Sequence, residues 1–178
     1  MKITTDFIKT HAGDSQVFVE TGSYQGDTTY SASLCNFKEV HSIELSDFYH
    51  SLVKTRFENN PNVHIHLGSS SDILGSVIKN INEKIIFWLD GHYSGGNTAK
   101  GDKYCPLEEE LNWIKSHKIK NHVIMIDDIR LAGTEWILPL DSIKKMIKEI
   151  NENYEFEMID TDLGKNDILI AKIFETSN

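Results

Sequence analysis

Short apolar runs recur along the chain, most of them continuous where a half-exposed strand would alternate with polar residues. Val17-Phe18-Val19 is the first, Val40-His41-Ser42-Ile43 the second and Val63-His64-Ile65-His66-Leu67 the third. Ile85-Ile86-Phe87-Trp88-Leu89 and Val123-Ile124-Met125-Ile126 follow, and the runs Tyr154 to Ile159 and Ile168 to Ile173 close the chain. A continuous apolar run indicates a strand buried on both faces, which is the signature of a parallel sheet. Segments 27–36, 46–59, 70–80, 106–117 and 140–151 are long enough for crossover helices. Leu107, Leu111 and Ile114 share one helical face, as do Ile143, Met146, Ile147 and Ile150, and Pro106 suits a first helical turn. No helix fits between the last two strands. Residues 160–167 read as a hairpin turn with Gly164 available for positive φ. Right-handed crossovers turn this pattern into an α/β, Rossmann-like, doubly wound seven-stranded sheet with helices on both faces and an antiparallel last strand.

The 178 residues suit one domain, 1–178, with a core that needs no disulfide or structural metal. Little precedes the first strand, which leaves no room for a large N-terminal lid. The net charge of −9, with Arg56 and Arg130 the only arginines, argues against a broad nucleic-acid footprint. A small or neutral substrate fits better, and a local basic patch leaves a nucleotide sugar or a tRNA open. Cys35 and Cys105 lack the spacing of a zinc site and suit a reducing compartment. There is no signal-peptide core, and no apolar run reaches the about 18–20 residues of a transmembrane helix. The expectation is a soluble cytoplasmic protein without a membrane partner; homo-oligomerisation stays open.

The segment Glu20-Thr-Gly-Ser-Tyr-Gln-Gly26 joins the first strand to the first helix. Open α/β sheets hold ligands at the carboxyl ends of their strands. Gly22 and Gly26 allow a sharp turn and a close approach to a ligand. The spacing is not that of the pyrophosphate fingerprint, and Asp27 stands where a dinucleotide phosphate would meet the helix, so a nicotinamide-dependent oxidoreductase is disfavoured. An acidic loop suits a ligand carrying cationic groups. Glu44, at the end of the second run, is placed to accept both hydroxyls of a ribose.

With these residues the chain resembles the class I S-adenosylmethionine-dependent methyltransferases over nearly its whole length. Val-Phe-Val-Glu20-Thr-Gly22-Ser23-Tyr24-Gln-Gly26 is similar to their first motif, Ser-Ile-Glu44 to the second and His-Leu-Gly68-Ser69-Ser70-Ser71 to the third. The family usually carries an acid after that last glycine, where this chain has Ser69. Ser69 and Ser70 remain candidates for hydrogen-bonding the adenine, with Asp72 nearby. The resemblance implies the strand order 3-2-1-4-5-7-6 with a reversed last strand. It also implies cofactor contacts from Glu20, Gly22, Ser23, Tyr24, Gly26, Glu44, Ser69, Ser70 and Asp90.

The fourth run ends in Asp90 and the fifth in Asp127-Asp128. On neighbouring parallel strands these carboxylates would converge, repel and raise one another's pKa, and a hard cation such as Mg²⁺ relieves this. The alternative is that Asp127 caps the next helix and Asp128 is solvated. The placement is similar to that of metal-dependent O-methyltransferases, of the catechol type and the macrocin-like sugar branch. That resemblance implies a metal on Asp90, Asp127 and Asp128. The Leu-Asp90-Gly-His-Tyr93 portion is nearest the sugar branch, although His92 stands where that branch has further acid, and its long N-terminal extension is missing.

The glycine-rich segment 91–101 is placed to close over a substrate. His92 is a candidate general base, with metal ligation or a structural role as alternatives, and Asp90 is the second candidate catalytic group. Tyr93 could pack on a ligand, and Lys100 is an alternative base only if burial lowers its pKa. Arg130, Glu135 and Trp136 are candidates for lining an acceptor pocket, and His64 and His66 share a strand face as a metal pair or as plain polar positions. The expected function is metal-assisted O-methylation of a small molecule such as a sugar. The alternative is an adenosylmethionine-binding module of the same fold without catalysis.

Overall fold

A computed structural model of the chain describes residues 3–92 and 105–174. Seven strands form one sheet: β1 (Val17–Thr21), β2 (Glu39–Glu44), β3 (Val63–Leu67), β4 (Ile85–Leu89), β5 (Val123–Ile126), β6 (Glu155–Thr161) and β7 (Gly164–Lys172). Their order is β3-β2-β1-β4-β5-β7-β6. Strands β1 to β5 pair in parallel, whereas β7 runs antiparallel to both β5 and β6. The expected order and the reversed strand are therefore present. Every residue of β1, β4 and β5 is buried, which is why these strands read as unbroken apolar runs.

The crossover helices are α2 (Asp27–Ser33), α3 (Asp47–Arg56), α4 (Ser70–Ile78), α5 (Leu107–Ser116) and α6 (Leu140–Ile150). On one face of the sheet Val19, Ile43, Phe87 and Ile124 pack with Leu74 of α4, Leu111 of α5 and Ile147 of α6. On the other face Phe18, Val40, Trp88 and Met125 pack with Ala32 of α2 and Val53 of α3. Two cores on opposite faces are what a doubly wound sheet requires. Each fully buried Leu or Ile contributes roughly 1.5–3 kcal/mol, so the three buried isoleucines of α6 suffice to dock a helix whose other face is charged.

Two features depart from the pattern read in the sequence. A further helix, α1 (Thr5–Ala12), precedes β1. The Thr4 hydroxyl accepts from the Phe7 amide and starts it, and Gly13 at φ 56° ends it. Ile8 and Ala12, one turn apart, seat it on the second core. In the β6–β7 hairpin the strands extend until only Asp162 and Leu163 separate the paired Thr161 and Gly164. Gly164 belongs to the ladder, and the positive φ falls on Asn166 at 51°. Asparagine tolerates that region better than other side-chain-bearing residues.

Neighbours β1 and β4 are where the winding reverses, and crevices at such switch points hold ligands. The ends of β1, β2, β3, β4 and β5 lie along a common carboxyl edge, because these strands are parallel and in register. Among the described residues, no helix is long and apolar enough to cross a membrane.

Candidate active site at the carboxyl edge of the sheet

The strand ladders continue into the loops that follow them. The Gly22 amide donates to the Ile43 carbonyl at 2.9 Å, and the Gly68 amide to the Glu44 carbonyl at 2.9 Å. The Asp90 amide donates to both the carbonyl and the hydroxyl oxygen of Thr21, and the Asp127 amide to the Leu89 carbonyl. Gly22 takes φ 85°, and a Cβ there would stand 2.3 Å from the Asp90 carbonyl oxygen. Only glycine allows the first loop to lie flat against the fourth. Gly26, at φ 79°, opens α2, and its missing side chain makes room for Val53 of α3. Tyr24 between them also has positive φ, at 47°, and its ring tilts against Tyr49.

Glu20 and Glu44 anchor this loop from below and from the side. Glu20 is buried, and one of its carboxylate oxygens accepts from Thr29 at 2.5 Å and from Ser42 at 2.6 Å. Ser42 is in turn 2.5 Å from the Ser23 hydroxyl. Burial pushes the Glu20 carboxyl up to about 7, against the hydrogen bonds from Ser42 and Thr29. Glu44 is also buried; its Oε2 accepts from the Tyr24 amide and its Oε1 from the Ser46 amide, both at 2.8 Å. Ser69 is the residue before α4, with its hydroxyl 2.7 Å from that of Ser71. Ser70 is buried under Gly91.

The acids at the ends of β4 and β5 fall into two overlapping groups, Asp90 and Asp128 with His92, and Asp127 and Asp128 with Asp167. Asp128 turns through a left-handed conformation, φ 52°, just before a short 3-10 helix (Ile129–Leu131) that its side chain does not cap, and its carboxylate is held by His92 and Arg130. His92, buried, lies between two carboxylates, with Nε2 2.8 Å from Asp128 and Nδ1 3.5 Å from Asp90. The Trp136 ring tilts over it at 5.2 Å and is itself buried in the core. Arg130 donates to both Asp128 and Asp167. Glu135 is exposed and is not drawn into these contacts. Burial raises Asp90 well above the usual carboxylate range, and the charges of Asp127 and Asp128 add to it. Asp127 is raised by burial as well. Burial would also raise Asp128, but hydrogen bonds from His92 and Arg130 outweigh it and hold that carboxyl at about 2.

Two members of the site do not stand out in the sequence. Asp167, fully buried in β7, accepts from Arg130 and Thr161. Glu110 of α5 is 1% exposed and reaches under Gly91, beside Ser70 and Thr21. Burial pushes it up to about 6, against those two hydroxyls. Glu110 falls between the apolar positions Leu107, Leu111 and Ile114, but it follows Glu108 and Glu109 and nothing in the spacing sets it apart from the charged first turn. Tyr93, Lys100 and most of the glycine-rich segment 91–101 lie outside the described residues.

Ligand atoms of Asp90, His92 and Asp128 come within 4.8 Å of one another, as do those of Asp127, Asp128 and Asp167. These are mainly hard oxygen donors, and the raised Asp90 and Asp127 mark carboxylate charge that a divalent cation would relieve. The donor set therefore fits such an ion.

Solved structures share this architecture. An O-methyltransferase from Bacillus cereus in complex with SAH superimposes with a TM-score of 0.61 at 15% identity, covering 96% of this chain and 78% of that one. The chain has the class I methyltransferase fold. The O-methyltransferase TomG from Streptomyces achromogenes, involved in tomaymycin synthesis and in complex with SAM, gives 0.60 at 12% identity over 96% of this chain and 78% of that one. An rRNA methylase from Streptococcus thermophilus gives 0.57 at 12% identity over 96% and 94%. No protein-family model matches the chain, and no curated protein matches it either. In the class I methyltransferase fold the edge that carries Gly22, Glu44 and Asp90 is the switch-point edge, where a ligand is expected.

Proposed function

We propose that the protein transfers a methyl group from S-adenosylmethionine to a hydroxyl of a small molecule such as a sugar or nucleotide sugar, with a divalent cation, Mg²⁺, on Asp90, Asp127 and Asp128. One observation supports the reading: Gly22 lies so close to Asp90 that a Cβ there would stand 2.3 Å from the Asp90 carbonyl oxygen, so the loop 20–26 and the carboxylate cluster adjoin. The donor supplies an electrophilic methyl on a sulfonium. A bound hard cation supplies Lewis acidity toward an acceptor hydroxyl.

The residues of this chain do the rest. Gly22 lets the loop lie against Asp90 and Gly26 lets it pack on Val53, which sets the backbone path the donor would meet. Each oxygen of Glu44 already accepts one amide, and a carboxylate has about four acceptor positions, so two are left for ribose hydroxyls. Glu20 props the loop from below through Thr29 and Ser42. Ser23 and Tyr24 shape the turn, and Ser69 offers a hydroxyl to the adenine, whereas the buried Ser70 hydroxyl is turned to Glu110. His92, held by Asp128, is positioned to take the acceptor's proton. Methyl transfer needs in-line alignment more than acid–base power, and rigid strand ends provide it. The net charge of −9 favours a small acceptor over a nucleic acid.

Calorimetry with S-adenosylmethionine, with and without Mg²⁺, tests the assignment. Micromolar binding lost in Glu44→Ala is expected. Binding as tight in the variant as in the wild type removes the ribose role. A second reading, a donor-binding module without catalysis, draws on the engagement of both Asp128 oxygens by His92 and Arg130. It requires tight donor binding with no labelled methyl passed to any small-molecule extract.

A further inference from the structure

Away from the proposed methyl-transfer site, the β2–β3 edge of the sheet carries Glu39, His41, His64 and His66. His41 is the register partner of His64 across the parallel pair. Glu39 lies two residues before His41, and His66 two residues after His64, so all four share one face. It is the face of Ile43 and the α4 core, but at this outer edge His64 and His66 stay half-buried and Glu39 is exposed. The imidazoles gather tightly: His41 stacks on His64 at 4.9 Å and on His66 at 5.3 Å. His41 Nε2 is 2.9 Å from Glu39 Oε2, and its Nδ1 is 3.0 Å from His66 Nε2.

We propose that Glu39, His41 and His64 form a second metal site, for a divalent transition ion of the Zn²⁺ class, distinct from the Asp90–Asp128 cluster. One ligand atom from each of the three already lies within 4.8 Å of the others. Two ligands at about 2.0–2.2 Å on a tetrahedral ion stand roughly 3.3 Å apart. The Glu39–His41 contact of 2.9 Å needs only a few tenths of an ångström of opening to admit the ion between them. His66 then has the role that metal-bound histidines usually require. It accepts from the Nδ1–H of His41 and so fixes the tautomer that leaves Nε2 free for the ion. One carboxylate and two imidazoles suit Zn²⁺, whereas the mainly carboxylate donors at the other cluster suit Mg²⁺. A water completes four-coordination, and the ion ties edge strand β3 to β2.

Zn²⁺ titration of the full chain by calorimetry in excess Mg²⁺, which holds the oxygen-rich cluster, tests this directly. Co²⁺ absorption reports the ligand geometry. One Zn²⁺ per chain is expected, with the intense visible bands of four-coordinate Co²⁺. Glu39→Gln and His64→Ala, both at exposed or half-buried positions, should each weaken Zn²⁺ by at least about tenfold, and His66→Ala by about 10–100-fold. Asp128→Asn should leave Zn²⁺ affinity unchanged. The proposal is overturned by an absence of Zn²⁺ binding, by unchanged affinity in both Glu39→Gln and His64→Ala, or by loss of the Zn²⁺ site in Asp128→Asn.

Discussion

Replacing Glu20 by glutamine should make the protein progressively more stable than the wild type as pH rises. Glu20 is 1% exposed, and its carboxyl sits at about 7, raised from 4.5 by burial. In the unfolded chain the group ionises near 4.5, while in the folded chain it keeps its proton until about 7. Between these values the folded state binds more protons, so stability is fully present below 4.5 and falls as pH rises through the window. A difference of about 2.5 units at 1.36 kcal/mol each amounts to ~3 kcal/mol, most of it lost between pH 5 and pH 7. Glutamine keeps the shape and carries no charge, so it lacks this pH-dependent loss. Urea unfolding followed by circular dichroism, on wild type and Glu20→Gln from pH 5 to pH 8 without ligand, isolates the effect. Groups common to both proteins cancel in the difference. The gap should grow by roughly 2 kcal/mol in favour of the variant across that range. A gap independent of pH, or one growing in favour of the wild type, refutes the buried-carboxyl account.

Gly22→Ala should lower the affinity for S-adenosylmethionine by more than about tenfold and cost ~2 kcal/mol of stability, since both the positive φ and the Asp90 carbonyl oppose a Cβ; calorimetry and thermal melts check each part. His92→Gln should reduce labelled-methyl transfer to small-molecule extracts by about 10²–10⁴-fold while leaving donor affinity nearly unchanged, and equal losses in both would assign His92 to binding. Tyr154→Phe removes the buried hydrogen bond from the Tyr154 hydroxyl to the His122 carbonyl and should cost about 1–2 kcal/mol in urea unfolding, with donor affinity unaffected.

The central strands β1, β4 and β5 were legible because burial on both faces leaves no polar alternation. Ile85–Leu89 and Val123–Ile126 can hardly be read otherwise. The five crossover helices were legible from the lengths of the segments between strands, and α5 and α6 also from apolar spacing, with ends displaced by a few residues. Helix α1 was not, because eight residues with two buried positions carry too little periodicity, and its Thr4 cap is visible only once the helix is suspected. The acids that end apolar runs pointed to the site: Glu20, Glu44, Asp90 and Asp127. Glu110 and Asp167 did not, since one resembles the charged face of a helix and the other a turn residue. What places them is long-range packing, of α5 under Gly91 and of β7 beside Arg130, which no local pattern encodes.

The close approach of Gly22 to Asp90 has a thermodynamic consequence. The first loop cannot settle around a bound molecule without pressing on the backbone that carries the Asp90 carboxyl, and the Asp90 amide is tied back to Thr21. Occupancy of one half of the edge and geometry of the other are thus linked free energies. If filling the loop tightens the carboxylate half for its own ligand by some factor, filling the carboxylate half must tighten the loop by the same factor. Two ligands on such an edge would not be independent guests: each would be an effector of the other, through one carbonyl oxygen and the missing side chain of a glycine.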